Sequence, residues 1–283
     1  MAHESQVRYS SLVDAKLRAT LVKKDGVIFK TRYEGNPKAG TVKVPVRDTE
    51  VGVGDYSKAD GAGATHGDTS YLTVPVDKDK AVNEIIDGFD AASVPDNLVA
   101  DRLDSAGYSM ALQIEKDATV CLEAAATATG STTPLTKSAV YEAVVDARTA
   151  LSKAGVPNDN RRFLLVSPEA YALVLKSPEF VRATSLGDAV VQTGAQGRIA
   201  GFNVFEDVTL SATTEFIAGH PDWCTRVNEW QVGVHLQDLA GSGKYIGASA
   251  VQGRKIYAHK VTKPQTLLIK RNAAPSAPEN PGT

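Results

Sequence analysis

Cysteine is nearly missing from this chain: two of its 283 residues, Cys121 and Cys224, far apart and in no ligand-type spacing. That argues against a disulfide framework and a cysteine zinc site, and leaves both thiols as small buried apolar residues. Aromatic residues are also few, 6%, and do not interleave with the basic runs, which argues against a base-stacking platform for nucleic acid. Long apolar runs are absent. Stretches such as 163–166 and 266–269 fall far short of the roughly 20 residues that cross a bilayer, so no membrane partner is expected. The polar start, Met1-Ala2-His3-Glu4-Ser5-Gln6, lacks the apolar core of a signal peptide, so synthesis in a cytosol is expected. Net charge is nearly absent as well, since 31 basic residues against 33 acidic ones leave a formal -2.

What remains is a globular composition, 42% hydrophobic and 23% charged, with length for one large or two ordinary domains. Its neutrality is regional rather than uniform. Residues 1–34 hold seven bases against four acids, residues 77–107 eight acids against three bases, and residues 251–271 six bases and no acid. Segregated charge suits association through complementary surfaces better than clamping a polyanion. The basic arm, with Lys23 and Lys24, and the basic stretch 251–271 are expected to meet the acidic segment 77–104 of the same or an adjacent subunit.

Along the chain the pattern changes several times. In the arm, residues 1–24, the spacing of Leu12, Val13, Leu17 and Leu21 predicts a helix over 11–22. Residues 25–80 have no helical period. Strands are predicted at 26–33, 41–47 and 70–76, where Val42, Val44 and Val46 alternate with Lys43, Pro45 and Arg47, and Pro45 and Pro75 place them at edges. The intervening 52–68 contains five glycines and too few apolar residues for a core, so a two-stranded excursion with a Gly-rich tip is expected.

From 97 to 127 there is no proline, and Val99, Leu103, Ala106, Met110, Ile114, Ala118, Cys121 and Ala125 mark one face of a long helix with Asp96 as N-cap. Glu115-Lys116-Asp117 is assigned to its solvated face, and Gly107 predicts a close neighbour or a bend. Residues 136–234 mix both periods. A helix runs from Thr136 to Ala154, stopped by Gly155-Val156-Pro157, and a buried strand covers 163–166. Helices start at Ser167-Pro168-Glu169 and Ser177-Pro178-Glu179, and strands are predicted at 202–205, 215–218 and 230–235. Residues 244–271 alternate as strands, and the tail 272–283, with three prolines, has no regular pattern. Interleaved helices and short strands imply α+β or α/β sandwiching around a central sheet.

Motifs for chemistry fail on inspection. Gly241-Ser242-Gly243-Lys244-Tyr245 is similar to the end of a phosphate loop, but Asp238 and Tyr245 stand where that motif needs Gly and Ser or Thr. Gly194, Gly197 and Gly201 lack dinucleotide-site spacing. His3, His66, His220, His235 and His259 form no metal-ligand pair in sequence, and His220 reads as a loop or interface residue. No catalytic residue, cofactor or metal ligand is assigned, and the chain is read as a structural protein rather than an enzyme.

Several stretches are informative in combination. They are Tyr9-Ser10-Ser11-Leu12-Val13-Asp14-Ala15-Lys16-Leu17, Gly40-Thr41-Val42-Lys43-Val44-Pro45, Asp87-Gly88-Phe89-Asp90 followed by Ala111-Leu112-Gln113-Ile114-Glu115-Lys116-Asp117, Arg162-Phe163-Leu164-Leu165-Val166-Ser167-Pro168-Glu169-Ala170-Tyr171, and Gly197-Arg198-Ile199-Ala200-Gly201-Phe202-Asn203-Val204. In this order they resemble the arm, extended loop, spine helix and axial segments of a tailed-phage major capsid protein of the Hong Kong ninety-seven fold. The resemblance implies an N-terminal arm 1–24, an extended β loop 25–80, a peripheral domain 81–135 with spine helix 97–127, an axial domain 136–240, peripheral return strands 241–271 and a tail 272–283.

It also implies self-assembly into hexamers and pentamers of an icosahedral shell enclosing double-stranded DNA. Candidate inter-subunit contacts are Lys23, Lys24, Glu50, Asp55, Tyr56, Lys58, Asp68, Arg182 and Arg198. Implied partners are a separate scaffolding protein, a portal, a decoration protein and weak non-specific contact with packaged DNA. The Lys–Asn crosslinks of some relatives are not assigned, because Lys38, Lys43 and Lys58 lie in the loop without a matched Asn. The alternatives are an encapsulin-type shell and an enzyme with an unrecognised site.

Overall fold

A computed structural model describes residues 16–33, 40–47, 50–59, 61, 63, 67–93, 97–177 and 197–272. Its frame is one long helix laid across two sheets. β1 (Thr41–Val46) and β2 (Ser70–Pro75) form an antiparallel ribbon. Val44 and Val74 are buried at its base against Val227 and Ala258, so the valine alternation read from the sequence does seat one face. β3 (Lys78–Ile86), β9 (Cys224–Asp238) and β10 (Ser249–Val261) form a three-stranded antiparallel sheet in the order β3-β10-β9.

α1 (Gly88–Ser93) follows β3, and a Cβ at Gly88 would meet the Gly247 carbonyl oxygen at 2.1 Å, so only glycine fits that approach. α2 (Leu98–Ala125) is 28 residues long, about 42 Å at 1.5 Å per residue. Asn97 caps it, its side chain accepting the Ala100 N–H, while Asp96 lies outside the described residues. The first half of α2 packs Leu98, Val99, Leu103 and Ala106 on Val82, Ile86, Val234 and Val251 of the three-stranded sheet. Among the described residues nothing beyond the backbone of its own helix lies within 4 Å of a Cβ placed at Gly107, so no other element packs closely there.

The larger sheet has the order β4-β11-β8-β5-β7-β6, from β4 (Thr127–Ala128), β5 (Phe163–Val166), β6 (Arg198–Ile199), β7 (Phe202–Glu206), β8 (Thr214–Gly219) and β11 (Leu267–Arg271). One face carries α3 (Val140–Lys153) and α4 (Pro168–Leu175) over Leu164, Val166, Phe202, Phe216 and Leu268. The other face, with Phe163, Leu165, Ile217, Leu267 and Ile269, meets Ala118 and Leu122 of α2. β9 and β11 therefore cross the boundary drawn from the sequence. β9 pairs with β10 in the small sheet, and β11, placed among the peripheral return strands, is a central strand of the large one.

Two local expectations fail for an identifiable reason. The helix expected over 11–22 is not formed in its described part, 16–22, where the N–H groups of Ala19, Val22 and Lys23 go to side chains of α2; residues 11–15 lie outside the described residues. Residues 26–33 are a tight turn with short bridges rather than a strand, and Gly26 sits at φ 82°. Pro178 and Glu179 of the second Ser-Pro-Glu start and residues 273–283 of the tail lie outside the described residues.

Ser167 caps α4 through the Ala170 N–H at 3.2 Å, with Pro168 in the first turn. Ser167→Ala is expected to remove about 1 kcal/mol of stability, measured as a lower urea midpoint of the unassembled chain.

Candidate functional site

The arm clasps the polar face of α2. Lys16 pairs with Asp101 at 2.7 Å, Arg18 with Asp104 at 2.5 Å, and the Tyr108 hydroxyl accepts the Ala19 N–H and donates to the Ala19 carbonyl. Residues 101, 104, 108 and 115 lie on one helical face. The lengths agree: seven extended residues from Lys16 to Lys23 span about 23 Å, and fourteen helical ones from Asp101 to Glu115 about 21 Å. The expected meeting of the basic arm with the acidic segment thus takes place within the subunit for Lys16 and Arg18. Arg254 of the basic stretch 251–271 likewise pairs with Asp79.

At the end of the clasp Lys23 is buried, 1% exposed, which corrects its assignment as an inter-subunit contact. Its ammonium bonds Asp207 and, at 2.8 Å, Thr209 Oγ1, and lies 3.8 Å from Glu115 Oε1. Glu115, placed on the solvated face by sequence, is 4% exposed. Its Oε1 accepts the N–H groups of Val22 and Lys23 at 2.7 and 2.8 Å. Asp117 of the same run accepts the Tyr257 hydroxyl at 2.7 Å. Nothing in the heptad-like stripe marks these positions; the signal available was an acid at the same face as Asp101, Asp104 and Tyr108.

Arg226 on β9 closes the anchor. It donates to the Lys23 carbonyl at 3.0 Å, to Asp25 at 2.7 Å and to Nε2 of His259 on β10 at 2.9 Å. His259 must be neutral to accept that bond. Burial, reinforced by Arg226, Lys255, Lys78 and Lys23, pushes it down to about 3.

The excursion is the opposite case. Glu50, Asp55, Tyr56, Lys58 and Asp68 are all exposed, as is Lys24. Val51, Val53 and Tyr56 are 86%, 101% and 75% exposed. Arg198 is exposed and donates to Asn203 Oδ1 at 2.9 Å within its hairpin; Arg182 lies outside the described residues.

Asp159, His220 and Asp222 form a group with ligand-type atoms within 4.8 Å. His220, read from sequence as a loop or interface residue, is fully buried. Its Nε2 faces Asp159 at 3.0 Å and its Nδ1 accepts the Asp222 N–H. Lys30, Arg32 and Arg161 already surround Asp222, so its charge is spent on cations of the chain itself. Burial raises the Asp159 carboxyl, but bonds from His220 and Arg161 outweigh it and hold the group well below the usual carboxylate range. Cys224 is buried and Cys121 half-buried, and burial pushes the Cys121 thiol up to about 11. A cleft of about 570 Å³ between α3 and β4 is lined by Leu135, Phe216, Leu268 and Lys270, whose ammonium is held by carbonyls of Ser131 and Thr133.

Solved structures resemble this fold over nearly all its length. A chain from Mycobacterium phage Che8 has TM-score 0.78 at 20% identity, covering 94% of this chain and 97% of that chain. The capsid of cyanophage P-SCSP1u has TM-score 0.75 at 10% identity, covering 94% and 92%. The mature capsid of bacteriophage PhiM1 has TM-score 0.69 at 12% identity, covering 94% and 91%. The architecture is therefore the α+β Hong Kong ninety-seven type implied by the resemblance. A family model described as phage capsid protein matches residues 81–244, more than half of the chain, and the chain belongs to that family. A comparison with curated proteins returns no significant match.

Lys23→Met leaves Asp207 buried without its cation and is expected to cost about 3–5 kcal/mol, with Asp207→Leu in the same chain recovering much of it; urea denaturation measures both. For His259, the unfolded chain takes up a proton near 6.5 and the native one only near 3. Its contribution is thus complete above 6.5 and is lost as pH falls toward 3, amounting to about 2 kcal/mol at about pH 5. His259→Gln should flatten the acid limb of the stability profile over that window.

Proposed function

We propose that this chain is the major capsid protein of a tailed phage, assembling as hexamers and pentamers into an icosahedral shell around the double-stranded DNA genome. The observation that carries the reading is the β1–β2 excursion, whose Val51, Val53 and Tyr56 have almost no cover within their own chain. Apolar side chains carried out on a ribbon are stabilised only by a surface they do not share a chain with, and a neighbouring subunit supplies one. Family membership supports this partner over an unrelated one.

The contacts proposed at the seam are Lys24, Glu50, Asp55, Tyr56, Lys58, Asp68 and Arg198, with Arg182. Lys16, Arg18 and Arg254 meet their counter-charges inside the subunit, which leaves the excursion's charges for a neighbour. In this reading α2 and the three-stranded sheet are the peripheral domain, and the six-stranded sheet with α3 and α4 is the axial domain. A separate scaffolding protein, a portal, a decoration protein and weak contact with packaged DNA complete the partner set. Synthesis in the host cytoplasm precedes incorporation into the virion.

Negative-stain microscopy of the expressed chain should show closed icosahedral particles; a persistent monomer at high concentration would sink the reading. Tyr56→Ala should lower particle yield several-fold at an unchanged urea midpoint of the unassembled chain.

A further inference from the structure

A lysine, an aspartate and a glutamate from three distant parts of the chain meet out of reach of water. The side chains of Lys23, Asp207 and Glu115 are 0%, 1% and 6% exposed. They are flanked in sequence by Val22, Ala118 and Phe205 of one apolar cluster. With no water beside them, the amine and the carboxyl have among the described residues only each other and the neighbouring Thr209 and Glu115 as partners, and they are held in direct contact.

The carboxyl of Asp207 is also prepared for attack. Its Oδ1 accepts both the N–H of Thr209 at 2.9 Å and the Thr209 hydroxyl at 2.7 Å, two donors where negative charge would develop. The amine is held in place by Thr209 Oγ1 at 2.8 Å and lies against Oδ2, the other carboxyl oxygen. Glu115 Oε1, 3.8 Å from Nζ, is near enough to carry a proton after a small adjustment. Amine, carboxyl and a second carboxylate thus meet at one buried point, with both oxygens of Asp207 engaged on different partners.

We propose that Lys23 and Asp207 become joined by an isopeptide bond within one chain, with Glu115 as the proton carrier. In the step, Nζ of the neutral amine attacks Cγ of the protonated Asp207. Glu115 takes one proton from the nitrogen and returns it to the departing Oδ2 hydroxyl. One C–N bond forms, one C–O bond breaks and one water leaves, with no change of oxidation state. The product replaces a buried charge pair with a neutral amide and ties the arm covalently to the loop after β7. The arm then stays on α2 through any rearrangement of the subunit.

Intact mass of the denatured full chain, with fragment mapping, tests this. The expected result is a monomer one water lighter than its sequence mass, with the peptides holding Lys23 and Asp207 linked. Glu115→Gln keeps a carbonyl oxygen for the Val22 and Lys23 N–H groups and should show the full sequence mass in a folded chain; Asp207→Ala should show it too. Wild-type chain at full sequence mass with no linked peptide overturns the proposal. So does a water loss that maps elsewhere or persists in Asp207→Ala.

Discussion

An ammonium sealed from water must find its counter-charge where it sits, and Lys23 finds it in residues 115 and 207. That demand draws together the arm, the middle of α2 and the loop leaving β7, regions that belong to different layers of the fold. Desolvation makes the arrangement close to all-or-none, since a buried pair stabilises little by itself but losing one partner is costly. The second ring of contacts follows from the first. Glu115 takes up the N–H groups that an extended arm cannot pair internally, and Arg226 takes up the carbonyl on the other side.

The same arrangement explains the division of labour along α2. Its apolar stripe serves both sheets and its polar face serves the arm, while Gly107, Lys116 and Val120 stay exposed. Ion pairs such as Lys16–Asp101 are partly exposed and add little energy each, but they set the register of the arm. The segment between β1 and β2 is one place where apolar and charged residues stand exposed together, and Leu17, Phe89, Val120 and Ile246 are exposed elsewhere on the subunit. A body rigidified at its core and unsatisfied at a projecting ribbon suits repeated self-association.

Much of this was legible in the sequence because the period itself carries the information. Thirty or so residues of 3.6 spacing without proline specify a long helix, four apolar residues before Ser-Pro-Glu specify a buried strand and a capped helix, and alternating valines specify the ribbon. The failures share one cause. Residues 16–24 have the spacing of a helix but lie extended, because donors and acceptors on α2, about a hundred positions away, compete for their main chain. In the charged run at 115–117 only Lys116 is solvated as its composition suggests, because partners from the arm and from β10 take up Glu115 and Asp117.

The sequence by itself determined the long helix, the valine ribbon, the buried strand 163–166 and the capped helix after it, since each depends on neighbours within a few residues. By contrast, β3 and the conformation of the arm were set by partners distant in the chain. Only the tertiary structure decided which charges are spent internally. Lys23 and Lys24 are adjacent and alike in sequence, but one is sealed against Asp207 and the other faces solvent. That difference comes from which way a side chain points on an extended segment, and its value is set by groups brought close only by the packing of the whole chain.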